Sequence, residues 1–479
     1  MTAEIMIIGA GASGLMAAIA AGREFLNKRS DKKGDPVLPV LVLERMDKPG
    51  KKLLATGNGR CNFSNMHMSM DCFHSDTPRL VRQVLEAFGL EKTLGFFEEL
   101  GIYIKNKDGY LYPLSGQASS VLDVLLMEVE CLPVKMVTGC EVQRLKRLRG
   151  GDYEAVDTSG RTYRAKRVIV ACGGRAYPKL GSNGSGYGLA AEAGLKVIEP
   201  VPALTGLYAV QKYFKEVAGV RADACISLYT QKNGQPTVIA RDRGEVQLTD
   251  YGVSGIPAFQ VSRSAAKALA KKQKVWLTLD FMPDMTEGEL FCFLSERFRR
   301  HPERNAAGLL TGMFNQKLCR LLTQQAGLTP STAASISGGG RHESGRKTTV
   351  MAAAPNGSGR RSTVAGAQSG SGRKTTAAAA ALNKRALGRL AGIIKALPAD
   401  IVATGSFDHA QVCAGGVDGR ELTPVLESRK APGLYFIGEL VDVDGICGGY
   451  NLQWAWSSGY VAGSHSAQSL KRQANKEEI

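Results

Sequence analysis

Two glycine-rich turns, one near each end of the 479-residue chain, constrain its fold more than any other feature. Near the start, an apolar strand at residues 4–8 runs into Gly9-Ala10-Gly11-Ala12-Ser13-Gly14, and a helix of small residues follows to about residue 24. Gly9 permits the tight turn, Gly11 lets the backbone approach a pyrophosphate, and Gly14 allows close packing of helix on strand. The helix N-terminus, with Ala12 and Ser13 in its first turn, offers unpaired N–H groups and partial positive charge. A second strand, 37–43, ends in Glu44, placed to accept hydrogen bonds from a ribose diol. Glu44 stands 30 positions after Gly14, against about 20 in most such units, and the polar excursion 27–36 accounts for the excess as a surface insertion.

The matching piece lies at residues 432–462. A buried strand (434–437) ends in Gly438-Glu439, with Asp442 beyond, where a ribityl chain or pyrophosphate would pass. Gly448-Gly449-Tyr450-Asn451-Leu452 then starts a helix whose positive end can face flavin N1 and O2. One loop-to-helix junction at each end suggests that both ends meet on one extended cofactor. FAD fits, because its two halves need separate helix N-termini.

Three intermediate segments belong to the same picture. The loop 51–65 concentrates small, amide and basic residues: backbone N–H groups freed by Gly57 and Gly59 can line a flavin edge, and Lys52 or Arg60 can neutralise phosphate or reduced flavin. Cys61 lacks a CxxC partner and reads as a packing thiol before a redox one. A strand ending at Ala171, followed by Cys172-Gly173-Gly174, passes beside the cofactor. Gly181 to Gly188 opens a further helix; without a fresh strand and terminal acid it lines the flavin rather than forming a second nucleotide site. Trp454 and Trp456 read as core. The six histidines (67, 74, 301, 342, 409 and 465) show no metal-ligand spacing, so no metal is expected. No catalytic residue is singled out; Tyr177, Tyr187, Tyr251 and Tyr450 stay open as proton donors.

Length and pattern imply several domains. Short alternating runs from residue 197 predict a small barrel to about 285, and 286–330 is mainly helical. Residues 331–381 hold seven Arg or Lys against one Glu and almost nothing large and apolar, which predicts a mobile loop. A return helix and strand from 382 lead back to the first domain, which occupies 1–196 and 382–479. The fold class is therefore α/β: a discontinuous Rossmann-like FAD-binding domain with an inserted β-barrel-like domain and a helical domain.

The net charge of +17 sits in short, unpatterned runs without interleaved aromatics, so no specific nucleic-acid partner is expected. No run of eighteen apolar residues exists, and the first strand leaves no room for a leader, so no membrane partner is expected. Ten scattered cysteines favour reduced thiols and a cytoplasmic location. The oligomeric state stays open.

On Ile7 to Leu15, Gly57-Asn-Gly-Arg-Cys-Asn-Phe-Ser-Asn65, Gly181 to Gly194, and the run from Ala410-Gln-Val-Cys-Ala-Gly-Gly-Val417 to Gly463, the chain resembles a bacterial flavoprotein family of the two-dinucleotide-binding type. That family includes NAD(P)/FAD-dependent oxidoreductases, aminoacetone oxidase family FAD-binding enzymes and bile-acid-pathway flavoprotein reductases. The resemblance implies FAD contacts around Gly9–Gly14, Glu44-Arg45, Gly57–Asn62, Val142 and Gly438–Leu452, with NADH or NADPH as transient co-substrate. It implies reduction of an activated C=C bond in a small hydrophobic molecule such as a steroid or bile-acid enone. An oxidase of a small amine and a non-enzymatic, FAD-containing RNA-binding protein are the alternatives.

Overall fold

The computed structural model describes residues 1–26, 37–301, 304–328 and 372–477. The excursion at 27–36 and the expected mobile stretch up to 371 lie outside them. The chain divides into two compact units: Met1–Tyr208 with Ser254–Val275 and Ile401–Ile479, and Ala209–Val253 with Trp276–Asp400.

The first unit is built on a seven-stranded sheet. Thr2–Ile8 is buried along most of its length, as expected for a parallel strand covered on both faces. It runs parallel to Leu38–Leu43 on one side and Thr162–Val170 on the other. Val134–Val137 extends the sheet past Leu38–Leu43, while Tyr153–Asp157 and Val142–Arg147 add antiparallel strands at the far edge. Leu434–Phe436 then pairs in parallel with the end of Thr162–Val170, Leu434 opposite Val168. A sheet begun by the first strand is thus completed by one more than 400 residues later.

Two helices seal that closure. The opening helix, Ala12–Phe25, and the closing helix, Tyr450–Glu477, approach so closely that a Cβ added at Gly459 would stand 2.4 Å from the Ser13 carbonyl oxygen. One added at Gly463 would stand 2.4 Å from that of Ala17. Glycines one turn apart therefore let backbone meet backbone. Trp454 and Trp456 are core, as the sequence suggests, and their indole N–H groups donate to the carbonyls of Gly438 and Phe63, both at 3.0 Å.

The second unit carries a closed six-stranded barrel whose long hairpin is Arg221–Lys232 and Gln235–Leu248. Its helices are Glu287–Arg300, Ala306–Leu310, Gln316–Gln325 and Gly372–Lys395. The last begins eleven residues before the predicted return helix at 383, because the alanine run 377–381 is a strong helix former. Lys395 pairs with Asp280 at 2.7 Å, which ties this helix to a barrel strand.

Two elements within the β-rich range 197–285 belong to the first unit. Val197–Ala203 pairs antiparallel with Val412–Val417. Ile256–Ala270, here the wall helix, buries Ala258, Val261, Ser262, Ala265 and Ala266. Its turn-former Gly255 and first-turn Pro257 mark a helix start, and the small residues repeat at helical spacing.

Candidate active site

A cavity of about 750 Å³ runs through the first unit, within the roughly 300–1,000 Å³ usual for cofactor and ligand sites. One end is the first glycine turn. Gly9 holds φ at 108°, and a Cβ there would meet the Ala171 carbonyl oxygen at 2.5 Å, whereas nothing stands within 4 Å of a Cβ at Gly11. The backbone is thus pinned against the neighbouring strand at Gly9 and open to the cavity at Gly11. No side chain caps the opening helix, so its first N–H groups remain available.

Glu44 is buried beside this turn. One carboxylate oxygen accepts from Ala10 N–H at 2.6 Å and the other from Met46 N–H at 2.8 Å. Each keeps lone-pair capacity for a further donor, as a ribose diol requires. Arg45 reaches the Pro178 carbonyl through Nη2 at 3.3 Å and lies 3.8 Å from Glu141, yet its buried Nε has no partner. An unpartnered buried donor in the cavity wall fits an acceptor-rich ligand.

The cavity also brings together Ala12, Ser13, Lys52, Gly57, Asn62, Val142, Ala171, Gly173, Glu439, Gly448, Gly449, Asn451 and Leu452. Gly181, Ser182 and Ser185 line the same space, so the second glycine loop contributes to this site. Lys52 is paired with Glu439 at 2.6 Å, and Glu439 also accepts from Cys413 N–H at 2.9 Å. Lys52 therefore acts through a neutralised pair rather than as a bare cation.

Seven expected contacts do not line the cavity. Gly14 is a packing position: a Cβ there would stand 2.0 Å from the Gly9 carbonyl oxygen. Gly438 is pressed against Ser13, with 2.6 Å from an added Cβ to Oγ. Gly59 and Arg60 are exposed and do not line the cavity. Cys61 is fully buried, and burial pushes its thiol up to about 12, so it packs rather than reacts. Tyr450 is turned to the His67 carbonyl, to which its hydroxyl donates at 2.9 Å, and stands edge-on to Phe73. Asp442 is buried with Oδ2 accepting from Asp76 N–H and Oδ1 without a partner; burial raises its pKa.

Of the four tyrosines left open, Tyr177 lines the cavity, in a left-handed backbone conformation at φ 59°. Tyr187 is partly buried, its hydroxyl has no partner, and burial drives its pKa upward. Tyr251 belongs to the second unit.

The other end of the cavity carries no glycine-turn motif. Leu204, Ile256, Phe259, Val412 and Ile446 form an apolar wall, with His409 and Gln411 among them, and Tyr110 and Tyr112 line the same cavity. Ala203, Leu204, Val412 and Ala414 form a small core against which Phe259 and Cys447 pack, so this wall adjoins Gly448. The Gly255–Pro257 start and the small-residue helical spacing are the signal that reveals the wall helix. Leu204 and His409 carry no comparable sequence signal.

Glycine turn, buried acid and helix N-termini at the edge of a parallel sheet define a Rossmann-type dinucleotide-binding protein, and the unpartnered Arg45 Nε with the opening at Gly11 fits FAD. The chain belongs to the HI0933-like family of FAD-binding oxidoreductases, matching the description "HI0933-like protein Rossmann domain" over residues 3–465. It is 39% identical over 466 residues to the 3-dehydro-bile acid delta(4,6)-reductase of Clostridium scindens, covering 97% of this chain and 99% of that one. It is 27% identical over 460 residues to the ribosomal RNA dihydrouridine synthase of Escherichia coli, covering 96% of each. Among solved structures, the FrdA subunit of E. coli quinol fumarate reductase is similar at a TM-score of 0.45 and 14% identity, with 98% of this chain and 70% of that one covered. Among the described residues, no group of acids, histidines and cysteines is arranged to hold a metal ion, and no helix is long and apolar enough to cross a membrane.

Proposed function

We propose that this flavoprotein reduces a C=C bond conjugated to a carbonyl in a small hydrophobic substrate of steroid or bile-acid type, using NADH or NADPH. The observation that carries this reading is the apolar wall of Leu204, Ile256, Phe259, Val412 and Ile446 adjoining Gly448. It receives support from a relative, alike over nearly its whole length, that is a 3-dehydro-bile acid delta(4,6)-reductase.

The cavity residues divide the work. Gly9–Ser13, Glu44, Arg45 and Val142 hold the adenosine and pyrophosphate half; Asn62, Gly448, Gly449, Asn451 and Leu452 hold the flavin half. Bound there, FAD supplies two-electron transfer between the nicotinamide and the alkene. The closing helix N-terminus would present its N–H groups and partial positive charge to a bound flavin, favouring its reduced form. Ile256 and Phe259 exclude water and orient the apolar body of the substrate. His409 and Gln411 are the polar groups in that wall, placed to hydrogen-bond a carbonyl, and the α-carbon takes its proton from His409 or from water. Hydride at the β-carbon and a proton at the α-carbon complete the saturation.

The decisive experiment mixes FAD-loaded protein anaerobically with NADH or NADPH, then adds a 4-en-3-one steroid. Bleaching of the visible flavin band followed by recolouring on steroid addition is expected. No bleaching by either nicotinamide removes the reductase reading, and bleaching by an amine alone supports an oxidase.

A second substrate fits the same chemistry. The uracil ring of an RNA also carries a conjugated C=C, and two relatives, alike over nearly their whole length, are ribosomal RNA dihydrouridine synthases. Dihydrouridine formed in ribosomal RNA, with no turnover of enones, would select it.

A further inference from the structure

The wall helix places Ile256, Phe259, Gln260 and Arg263 along one face, at spacings of three, four and seven residues. The first two line the cavity, and Ile256 is 55% exposed, an apolar side chain left open where a substrate would lie. The other two turn to the segment that leads into the closing helix. Gln260 Oε1 accepts from Cys447 N–H at 2.9 Å. Arg263 Nε donates to both carboxylate oxygens of Asp444, at 2.9 and 2.8 Å, with both side chains largely buried. One helix face thus touches the apolar wall at its start and grips both ends of the 444–447 segment a turn later.

That segment sets where Gly448 and Gly449 stand. Gly449 is wedged so tightly that an added Cβ would lie 2.6 Å from the Ser64 carbonyl oxygen. Asn65 Nδ2 donates to the Gly448 carbonyl at 2.9 Å. Asn451 closes the turn on Gly445 with two hydrogen bonds of 2.8 Å, and Ile446 N–H donates to the Cys72 carbonyl at 3.0 Å. Those ties run to the flavin-side strands and the closing helix; Gln260 and Arg263 tie the segment to the wall that faces substrate.

We propose that Arg263 and Gln260 are positioning residues: they fix the Gly448–Leu452 turn against the cofactor and transmit to it the seating of an apolar substrate on Ile256 and Phe259. The proposal rests on the reading of this cavity as the flavin and enone site. A guanidinium Nε–H shared between both oxygens of a desolvated carboxylate holds Asp444 at a fixed distance from the wall helix. Loosening it lets the helix N-terminus drift from the cofactor and weakens its preference for the reduced state.

The test uses full-length, FAD-loaded protein as wild type, Arg263→Gln, Arg263→Lys and Gln260→Leu. FAD content, the flavin midpoint potential, the visible spectrum with and without testosterone, and kcat and KM are measured on each. Arg263→Gln is expected to retain FAD, to move the potential to a more negative value, to abolish the spectral shift that testosterone induces, and to lower kcat roughly tenfold with KM little changed. Arg263→Lys should recover part of each effect, since it keeps the charge but not the fixed direction of the Nε–H. A potential and spectrum identical to wild type, with only the melting temperature lowered, would overturn the proposal. If Arg263→Gln does not fold, Gln260→Leu, which leaves the ion pair in place, is read against the same outcomes. A wild type that takes up FAD but gives no testosterone-induced shift overturns the coupling alone; one that takes up no FAD overturns the flavin reading and this proposal together.

Discussion

The two ends of the cavity are made in different ways. The Gly9–Gly14 end is backbone chemistry: turns, exposed N–H groups and one buried acid, drawn from residues close together in sequence. The Ile256–Phe259 end is side-chain chemistry, drawn from Leu204, the wall helix, His409 to Val412 and Ile446. A shared cofactor can be met by fixed backbone geometry, whereas a variable substrate is met by side chains that can be exchanged without disturbing the turn. Mutations should therefore separate the two ends cleanly.

The largest effect belongs to the helix closure. Gly459→Val or Gly14→Val drives a side chain into a carbonyl oxygen and should destabilise by about 1–3 kcal/mol or more, with loss of FAD, read by thermal melting and by colour of the purified protein. Next is Glu44→Ala, which strips two charge-assisted backbone hydrogen bonds and should cost about 1.5–3 kcal/mol in FAD affinity, measured by titration of apoprotein. Retention of wild-type affinity would remove the ribose-end assignment. Ile256→Ala should leave FAD affinity and melting nearly unchanged while weakening enone use about tenfold, seen in kcat/KM. An equal loss at both ends would erase the contrast.

The ends should also differ in pH response. Burial pushes Asp444 up to about 6, against the pull of Arg263 and Lys267. An acid whose folded pKa exceeds its unfolded value holds its proton more tightly when folded. Its stabilising contribution is therefore complete below about 4 and is lost as pH rises through about 6. Melting curves between pH 4 and 7 should show wild type losing up to about 3 kcal/mol relative to Asp444→Asn over that interval. The smallest effect is expected of Arg60→Ala: its side chain is exposed and outside the cavity wall, so stability and FAD affinity should stay within about 0.5 kcal/mol.

The same division explains what the sequence disclosed. Strand, turn and acid leave a local signature, so Gly9, Gly11 and Glu44 could be given roles from spacing alone. Gly14 has the packing role its spacing suggests, against the Gly9 carbonyl, whereas the packing of Gly438 against Ser13 leaves no local sequence signal. Arg60 and Cys61 sit in a loop rich in the right residue types, and only the turn through Gly57 and Asn58, both with positive φ, decides which of them faces inward. The barrel followed from alternation. The wall helix did not, because its small residues lie inside a stretch of alternating strands and its chemistry depends on Asp444 and Cys447, more than 180 positions away.

The pairing of Gly459 and Gly463 with Ser13 and Ala17 sets a schedule for biosynthesis. While a ribosome is still extending the chain, the first strand and helix are exposed without the segment that seals them. The coloured cofactor can be locked in only after the closing helix emerges, so translation stalled before Tyr450 should yield colourless chains, prone to aggregate, that carry every residue of the first turn.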